Sequence, residues 1–396
     1  MNSLGPQELG KDPSPYVIFT AEMRRIILIC VSALILSTGV ARAEDSLDQG
    51  LWWLYHLQYD KARTNFDAYI KSHPEDPAGY FYLTAIDWWH LAQDIEYNLP
   101  QIQEQLEEDS QHTIAVAEKL YDSSQDPKEK ARACLYWGGA EGLWGRWLVT
   151  RREWVSAYFA GKRGHKMLKR ALDLDPKLSD AYLGLGIYDY YTDTLSGVQA
   201  VLAAMLIHGN KVRGLEELQM AIDHGTHSRI EAMCFLVEIY TTEENTPAKA
   251  LPYAQALHKE FPQSPAMHLI EVSTLYTMKS WEAMLPQAEE LLQRSEKEEH
   301  WYTHKYVPPA RYCIGIAKLW GKHDVDGAMA EMEKILAEGE SPSRWVTFAR
   351  LRRGQIYDLR GDRVKALQDY RAVLARQDFW DAQKEARLYL RTPFKF

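Results

Sequence analysis

Residues 344–378 have the sequence RWVTFARLRRGQIYDLRGDRVKALQDYRAVLARQD, in which apolar residues recur three and four positions apart on both sides of Gly361-Asp362. This spacing places the apolar side chains on one face of a helix, so the stretch predicts two amphipathic helices joined by a tight turn. Gly354 and Ala366 would let the two helices approach closely, and Tyr370 would fill the gap to the next pair. The stretch therefore predicts an antiparallel helix pair.

The order of these residues resembles the tetratricopeptide repeat (TPR), where Leu-Gly and Tyr mark the first helix and Ala-x3-Phe/Tyr followed by Pro marks the second. Partial matches recur along the chain: Tyr59-Asp60-Lys61-Ala62-x3-Phe66 with Pro74, Gly164-x3-Leu168-x2-Ala171 with Pro176, Tyr182-x2-Leu185-Gly186, Ala250 with Pro262, and Ala328 with Met332. Equivalent small residues are spaced close to the repeat's period, as from Gly214 to Ala250 and from Ala328 to Ala366. Their repetition in phase with prolines predicts a whole chain of such pairs.

The resemblance implies an all-α fold, an α-solenoid of seven or eight antiparallel helix pairs over residues 44–396. Residues 44–225 would form pairs with long insertions, 226–378 more regular repeats, and 379–396 a capping helix centred on 381–390. The insertions at 101–109 and 144–154 predict lengthened helices. A third insertion, 196–207, is strongly apolar and would need a cover.

The N-terminus has the pattern of an export signal. Arg24 and Arg25 precede an apolar run, 26–36, and the sequence then ends in Ala41-Arg42-Ala43. A basic start, a short apolar core and small residues at the cleavage position are typical of a secretory signal peptide, and the run is too short for a permanent span. We expect a leader over about residues 23–43, a periplasmic or secreted protein, and no membrane span after cleavage.

Charge and cysteine content exclude some classes of partner and fold. The formal net charge of −9 argues against nucleic acid, whose phosphates favour clustered Lys and Arg. Cys134, Cys234 and Cys313 are far apart in helical stretches, so they predict buried small apolar residues and no disulfide framework. Arg146, Arg151 and Arg152 form a basic group that we interpret as a solvated helix end.

Catalytic and metal-binding motifs are absent from the sequence, which predicts a non-enzymatic protein with no cofactor and no metal site. Gly161-Lys162-Arg163-Gly164 falls inside a helical pattern and is not a phosphate-binding loop. His300 and His304, four residues apart, could share a helix face, yet nearby residues offer no further ligand set, and surface histidines are the simpler interpretation. His224 and His227 lie at a predicted helix end, where a cation favours the helix dipole.

The resemblance also implies a binding surface, because first helices line the concave groove of a TPR stack. Placed on this sequence, the groove residues would be Phe81, Trp88, Trp89, Tyr190, Tyr191, Gln355 and Asp358. Aromatic residues often anchor interfaces, although packing between helices is an equally simple use for them. We therefore expect an exported scaffold that binds a protein or peptide partner through its concave face.

The apolar insertion leaves an alternative open. It could fold over the groove as a lid, form a subunit contact, or touch a membrane surface, although it lacks the basic residues common in interfacial helices. With the aromatic first helices, residues 196–209 could also close a pocket for a small molecule or a glycan. Neither the partner nor the oligomeric state follows from the sequence.

Overall fold

The computed structural model describes residues 41–93, 99–151, 153–194, 209–339, 341 and 343–396. Within these ranges the secondary structure is helical, with no β-strand. The predicted all-α fold of antiparallel helix pairs is therefore confirmed. Most of the expected leader, residues 1–40, and the whole apolar insertion, residues 196–207, lie outside the described residues.

Seventeen α-helices are described, and we number them in chain order. They are α1 Ala41–Tyr55, α2 Tyr59–Ser72, α3 Pro77–Gln93, α4 Pro100–Ser123, α5 Pro127–Thr150, α6 Trp154–Leu174, α7 Ala181–Thr194, α8 Lys211–His224, α9 Arg229–Glu238, α10 Pro247–Glu260, α11 Pro265–Thr277, α12 Trp281–Glu296, α13 Val307–Ile316, α14 Val325–Ala337, α15 Arg344–Leu359, α16 Arg363–Leu374 and α17 Ala382–Arg391. Short π-helical turns extend α9 and α13, at Ile239–Glu243 and Ala317–Gly321. Contacts between successive helices pair α1 with α2, α3 with α4, α5 with α6, α7 with α8, α13 with α14 and α15 with α16, and α17 follows the last of these pairs.

Local sequence signals account for the helix starts. Proline occupies the first helical position of α3, α4, α5, α10 and α11, where its missing N–H leaves no intrahelical bond unmade. The side chains of Asp126, Asn210, Asp324 and Asp362 accept hydrogen bonds from backbone N–H groups in the first turns of α5, α8, α14 and α16. Pro74, Pro176 and Pro262, which divide the sequence pattern, lie in the turns between helices.

The insertions at 101–109 and 144–154 are lengthened helices, as predicted. The first belongs to α4, which has 24 residues, and the second joins the 24-residue α5 to the 21-residue α6.

Paired glycines allow the closest helix contacts. A Cβ built on Gly164 of α6 would lie 2.9 Å from the Gly138 carbonyl oxygen of α5, and one built on Gly186 of α7 would lie 2.7 Å from the Gly214 carbonyl oxygen of α8. A side chain at either crossing would force the backbones apart. The small residues that marked the repeats in the sequence are thus the points where each pair of helices crosses.

The described residues divide into two compact units. The N-terminal unit contains those between 41 and 237 together with 253–267, and the C-terminal unit contains 238–252 and 268–396. In a regular solenoid each repeat touches only its neighbours. In the N-terminal unit, however, the Ser264 hydroxyl donates to the Tyr55 carbonyl oxygen at 2.7 Å, and the rings of Tyr55 and Phe261 lie 5.4 Å apart. Its first helix therefore contacts residues about two hundred positions further along.

The C-terminal unit ends in the predicted cap. Helix α17 packs on α15 and α16, with Ala382 and Ala386 buried, and the Arg352 guanidinium donates to the Glu385 carboxylate at 3.1 Å. Arg363 donates to the Tyr389 carbonyl oxygen at 2.7 Å. These contacts cover the outer side of the last pair, which is what a terminal repeat requires.

Among the helices that the structure describes, no segment has both the length and the apolar character that a bilayer crossing needs. Three free cysteines are described: Cys134 and Cys313 are buried and Cys234 is partly buried. The prediction that these cysteines are buried is confirmed for Cys134 and Cys313, whereas Cys234 is only partly buried.

Candidate binding site

The predicted groove residues on α3 are buried in the N-terminal unit. Phe81 is fully buried, and Trp88 and Trp89 are 3% and 8% exposed. The Arg146 guanidinium lies 3.9 Å from the centre of the Trp88 ring, and the Trp89 indole N–H donates to the Glu231 carboxylate at 2.9 Å. In this conformation these rings contact α5 and α9, and a partner could reach them only if those helices separated.

The predicted groove residues on α7 and α15 are also largely engaged in contacts within the protein. Tyr190 is buried against Tyr191, with ring centres 5.2 Å apart. Gln355 is buried and accepts a hydrogen bond from Arg352 at 3.1 Å. Asp358 accepts hydrogen bonds from Arg363, the Tyr370 hydroxyl and the Phe394 N–H. A role in partner binding stays a prediction for all seven residues.

Buried carboxylates recur at equivalent places in the N-terminal unit. Glu141 of α5 accepts hydrogen bonds from both Nε and a terminal nitrogen of Arg163 on α6, the latter at 2.7 Å. Asp189 of α7 accepts one from Arg213 of α8. In each case the acid follows the crossing glycine by three positions and the arginine precedes its partner glycine, giving a repeated G-x-x-D/E and R-G pattern. Each ion pair connects the two helices of one pair, α5 with α6 and α7 with α8.

Two buried carboxyls, Asp87 and Glu217, each lie beside a second acid. Burial is the main cause that raises the pKa of Asp87 to about 8, and the charge of Asp109 raises it further, against the opposing effect of Arg63. Burial and then the charge of Asp189 raise the pKa of Glu217 to about 8. Each pair of carboxyls sits beside a single arginine, so the folded state favours one proton in each pair.

An open groove runs along α6, with a volume of about 930 Å³. The C-terminal end of α4, the middle of α5 and α7 form its walls, and we call it the α6 groove. Its lining residues are Tyr121, Asp122, Trp137, Phe159, Lys162, Arg163, His165, Lys166, Met167, Lys169, Arg170, Asp173 and Tyr188. All of them belong to the N-terminal unit.

The α6 groove is strongly cationic. Lys162, Lys166 and Lys169 recur at steps of four and three residues, which places them in a row on one face of α6. All three are exposed, and none forms a salt bridge with a residue that the structure describes. Arg170 adds a further charge beside the Tyr121 hydroxyl, 3.5 Å away. The row is a concentration of positive charge on a chain whose formal net charge is −9.

Aromatic rings accompany this charge. Phe159 is 51% exposed at one end of the α6 groove, an unusual position for so large an apolar side chain. Near it, the ring of His165 stacks on Tyr188 with ring centres 4.2 Å apart. Burial is the main cause that lowers the pKa of His165, although the charge of Asp189 acts against it. The groove therefore joins an apolar end to a cationic row.

The sequence analysis placed the main basic group elsewhere, and the structure corrects it. Arg146 is buried against Trp88 and is not part of a solvated helix end, whereas Arg151 is exposed and paired with Glu153. The spacing of Lys162, Lys166 and Lys169 was visible in the sequence. What was missing is the position of α4 and α7, which turn a charged helix face into a walled groove.

The histidine predictions have mixed outcomes. His300 lies in a turn with a left-handed backbone (φ 57°), and His304 begins a 3-10 turn, so the expectation that they could share a helix face is wrong. His224 lies in the last turn of α8, as expected, but the buried His227 contacts Asp48 at 2.9 Å. The described residues contain no group of three His, Cys, Asp or Glu side chains arranged to hold a metal ion.

Comparison with known proteins does not assign the chain to a family. No family model and no curated protein matches it. Among solved structures, it is similar to a Rap protein in complex with competence and sporulation factor, at 13% identity, covering 87% of this chain and 77% of that chain, with a TM-score of 0.37. It is also similar to yeast Tom70, at 12% identity, covering 88% and 96%, with a TM-score of 0.34. At such TM-scores these likenesses carry no argument about function.

Proposed function

We propose that this chain is an exported, non-enzymatic binding protein that holds an acidic segment of another polypeptide in the α6 groove. The observation that carries the proposal is the row of three exposed lysines along a walled groove with Phe159 at one end. Opposite charge attracts a partner and fixes its register, and an exposed aromatic ring supplies apolar contact area.

A polypeptide is the occupant that suits the groove best. A membrane surface binds a flat or convex patch of a protein, whereas these cations line a groove of about 930 Å³. Nucleic acid is disfavoured by the net charge of −9, which repels phosphates over the surface as a whole. A short acidic segment contacts only the groove and meets its local positive charge, whereas a nucleic acid extends beyond the groove over a surface with net negative charge.

The remaining parts of the proposal rest on the sequence. Export is supported by the basic start, apolar run and Ala41-Arg42-Ala43 at the N-terminus. The absence of recognisable catalytic motifs from the sequence supports a binding role without chemistry. The helix-pair fold supports it as well, since repeat proteins present extended surfaces to their partners. The α6 groove replaces the predicted concave face as the leading site because the residues predicted there are mostly buried.

The proposal is tested by measuring the binding of one fluorescent acidic peptide, anionic vesicles and a single-stranded oligonucleotide to the mature protein. The variant is Lys166→Glu, and the matched control is Lys71→Glu, an exposed lysine at the end of α2 outside the groove. An exposed ion pair is worth about 0.2–1 kcal/mol, and reversal removes one attraction and adds a repulsion, so we expect roughly a 2- to 30-fold weaker peptide complex.

Two results would contradict the proposal. One is peptide binding that Lys166→Glu and Lys71→Glu weaken equally, which would show nonspecific attraction. The other is a clear preference for vesicles or the oligonucleotide over the peptide, which would assign the groove to another class of anion.

A further inference from the structure

We infer that the α6 groove takes its acidic segment in an extended conformation and in one register, with an apolar side chain against Phe159 and carboxylates at alternate positions opposite Lys162 and Lys166. This inference rests on the proposed function and specifies its ligand. It follows from the length of the groove, the spacing of its lysines and the order of residues along it.

The length of the groove accommodates a short extended chain. Its lining on α6 runs from Phe159 to Asp173, which is about 21 Å at 1.5 Å per residue. At about 3.3–3.4 Å per residue, an extended segment of about six residues covers this length.

The spacing of the cations matches the repeat of an extended chain. Lys162 and Lys166 are four residues apart on α6, so their backbones are separated by about 6 Å along the helix axis. In an extended segment, side chains on the same face recur every second residue, at about 6.6–6.8 Å. Carboxylates at alternate positions can therefore face both lysines at once, while the intervening side chains point to solvent.

The two ends of the groove differ, and this difference sets the register. At one end, Phe159 lies exposed and Tyr188 lies close to Gly161, where an added Cβ would come within 3.8 Å of the Tyr188 ring. At the other end, Asp122 and Asp173 line the groove beyond Lys169. Carboxylates of the ligand are repelled there, so the acidic run must stop before that end. We expect a neutral or basic residue in that position.

The ligand pattern is thus an apolar residue, then acids two and four positions along, then a neutral or basic residue. The pattern does not fix the N-to-C direction of the ligand, because it is set by side-chain contacts and not by hydrogen bonds to the ligand backbone. Three peptides of equal composition separate the register from simple charge: one with Phe at the end of the alternating acidic run, its reverse, and one with Phe in the middle. A fourth replaces the terminal Phe with Ala.

A double-mutant cycle with Phe159→Ala is the decisive experiment, because it compares the change in each partner with the change in both. Phe159 is half exposed, so its removal leaves the core intact, and far-UV circular dichroism of the variant checks this. We expect Phe159→Ala to lower the affinity for the tighter-binding of the two Phe-ended peptides about tenfold. The affinity for the Ala-ended peptide should stay within a factor of two.

The possible outcomes separate this inference from the proposed function. If the peptides of equal composition bind equally and Phe159→Ala weakens each alike, the register inference is wrong while the groove still binds acidic chains. If a variant with Lys166→Glu binds every peptide as well as the wild type does, the proposed function itself is wrong. Preference for the Phe-ended peptide together with coupling to Phe159 supports both.

Discussion

Replacing Gly186 with alanine tests whether the helix pairs are held at the separation that the structure shows. An alanine Cβ at this position would lie 2.7 Å from the Gly214 carbonyl oxygen and 2.9 Å from the Leu218 backbone nitrogen. Both are backbone atoms, so no side-chain rotation relieves the contact and α7 must move away from α8.

The expected magnitude follows from two opposing effects. Alanine is favoured over glycine in a helix interior by about 0.8–1 kcal/mol. Overpacking costs about 1–3 kcal/mol, and two backbone contacts place this site in the upper part of that range. We therefore expect Gly186→Ala to lower the free energy of unfolding by about 1–2 kcal/mol.

The matched control is Gly161→Ala in the neighbouring α6. Its Cβ would meet nothing closer than the Tyr188 ring at 3.8 Å, so the helix preference acts alone and we expect a gain of up to about 1 kcal/mol. Urea unfolding followed by far-UV circular dichroism measures both variants beside the wild type. A Gly186→Ala protein as stable as the Gly161→Ala protein would refute the close crossing of α7 and α8.

Three further predictions concern titration and reactivity. The pKa of Asp87 is about 8 in the folded state against 3.8 ordinarily, so its contribution to stability is present in full at low pH and is lost as the pH rises from about 4 to 8. Asp87→Asn should remove this dependence in unfolding measured across that range, and an unchanged profile would contradict it. Burial lowers the pKa of His165, so an acidic ligand should promote its protonation and bind more tightly as the pH falls below about 6.5. His165→Phe, which keeps the stacking on Tyr188, should remove this gain in affinity in titrations of the acidic peptide. A gain in affinity that persists in the variant would exclude His165 as its cause. Iodoacetamide should label Cys234 before Cys134 and Cys313 in the folded protein. The reason is that burial raises the pKa of the Cys134 thiol to about 11 and also raises the pKa of the Cys313 thiol. Equal labelling of the three cysteines by mass spectrometry would contradict this packing.

Much of the fold was predictable because its signals are local. Apolar spacing, the prolines at helix starts and the glycine breaks each depend on a few neighbouring residues, and residues 344–378 alone contain a complete pair. The cap was predictable for the same reason: 381–390 alternates apolar and charged residues with a helical period, and α17 is Ala382–Arg391.

The burial of the predicted groove residues was not predictable from those signals. Trp89 bonds to Glu231, 142 positions away, and Tyr55 contacts Ser264. Such contacts depend on how far successive pairs turn relative to one another, which is a sum of small rotations that no single repeat encodes. A surface aromatic and a core aromatic look the same in sequence, since both occur at helical spacing.

The α6 groove was also not predictable from local sequence patterns. The lysine row at 162, 166 and 169 is a local pattern, but a row of charges on a helix is usually a solvated face. Tyr121 and Tyr188 belong to other helices, and their positions beside α6 make it a site. Exposure of Phe159 adds the apolar end, and exposure too depends on the assembled pairs.

A charge swap between the groove and its ligand tests the central claim most directly. The variant Lys166→Glu with Lys169→Glu is titrated with the acidic peptide and with the same peptide in which lysines replace the acids, and the wild type is titrated with both. We predict that each protein prefers the peptide of opposite charge, so that the variant recovers with the basic peptide the affinity it loses with the acidic one. If the variant binds neither peptide while remaining folded, or if it still prefers the acidic peptide, the α6 groove is not where the partner binds.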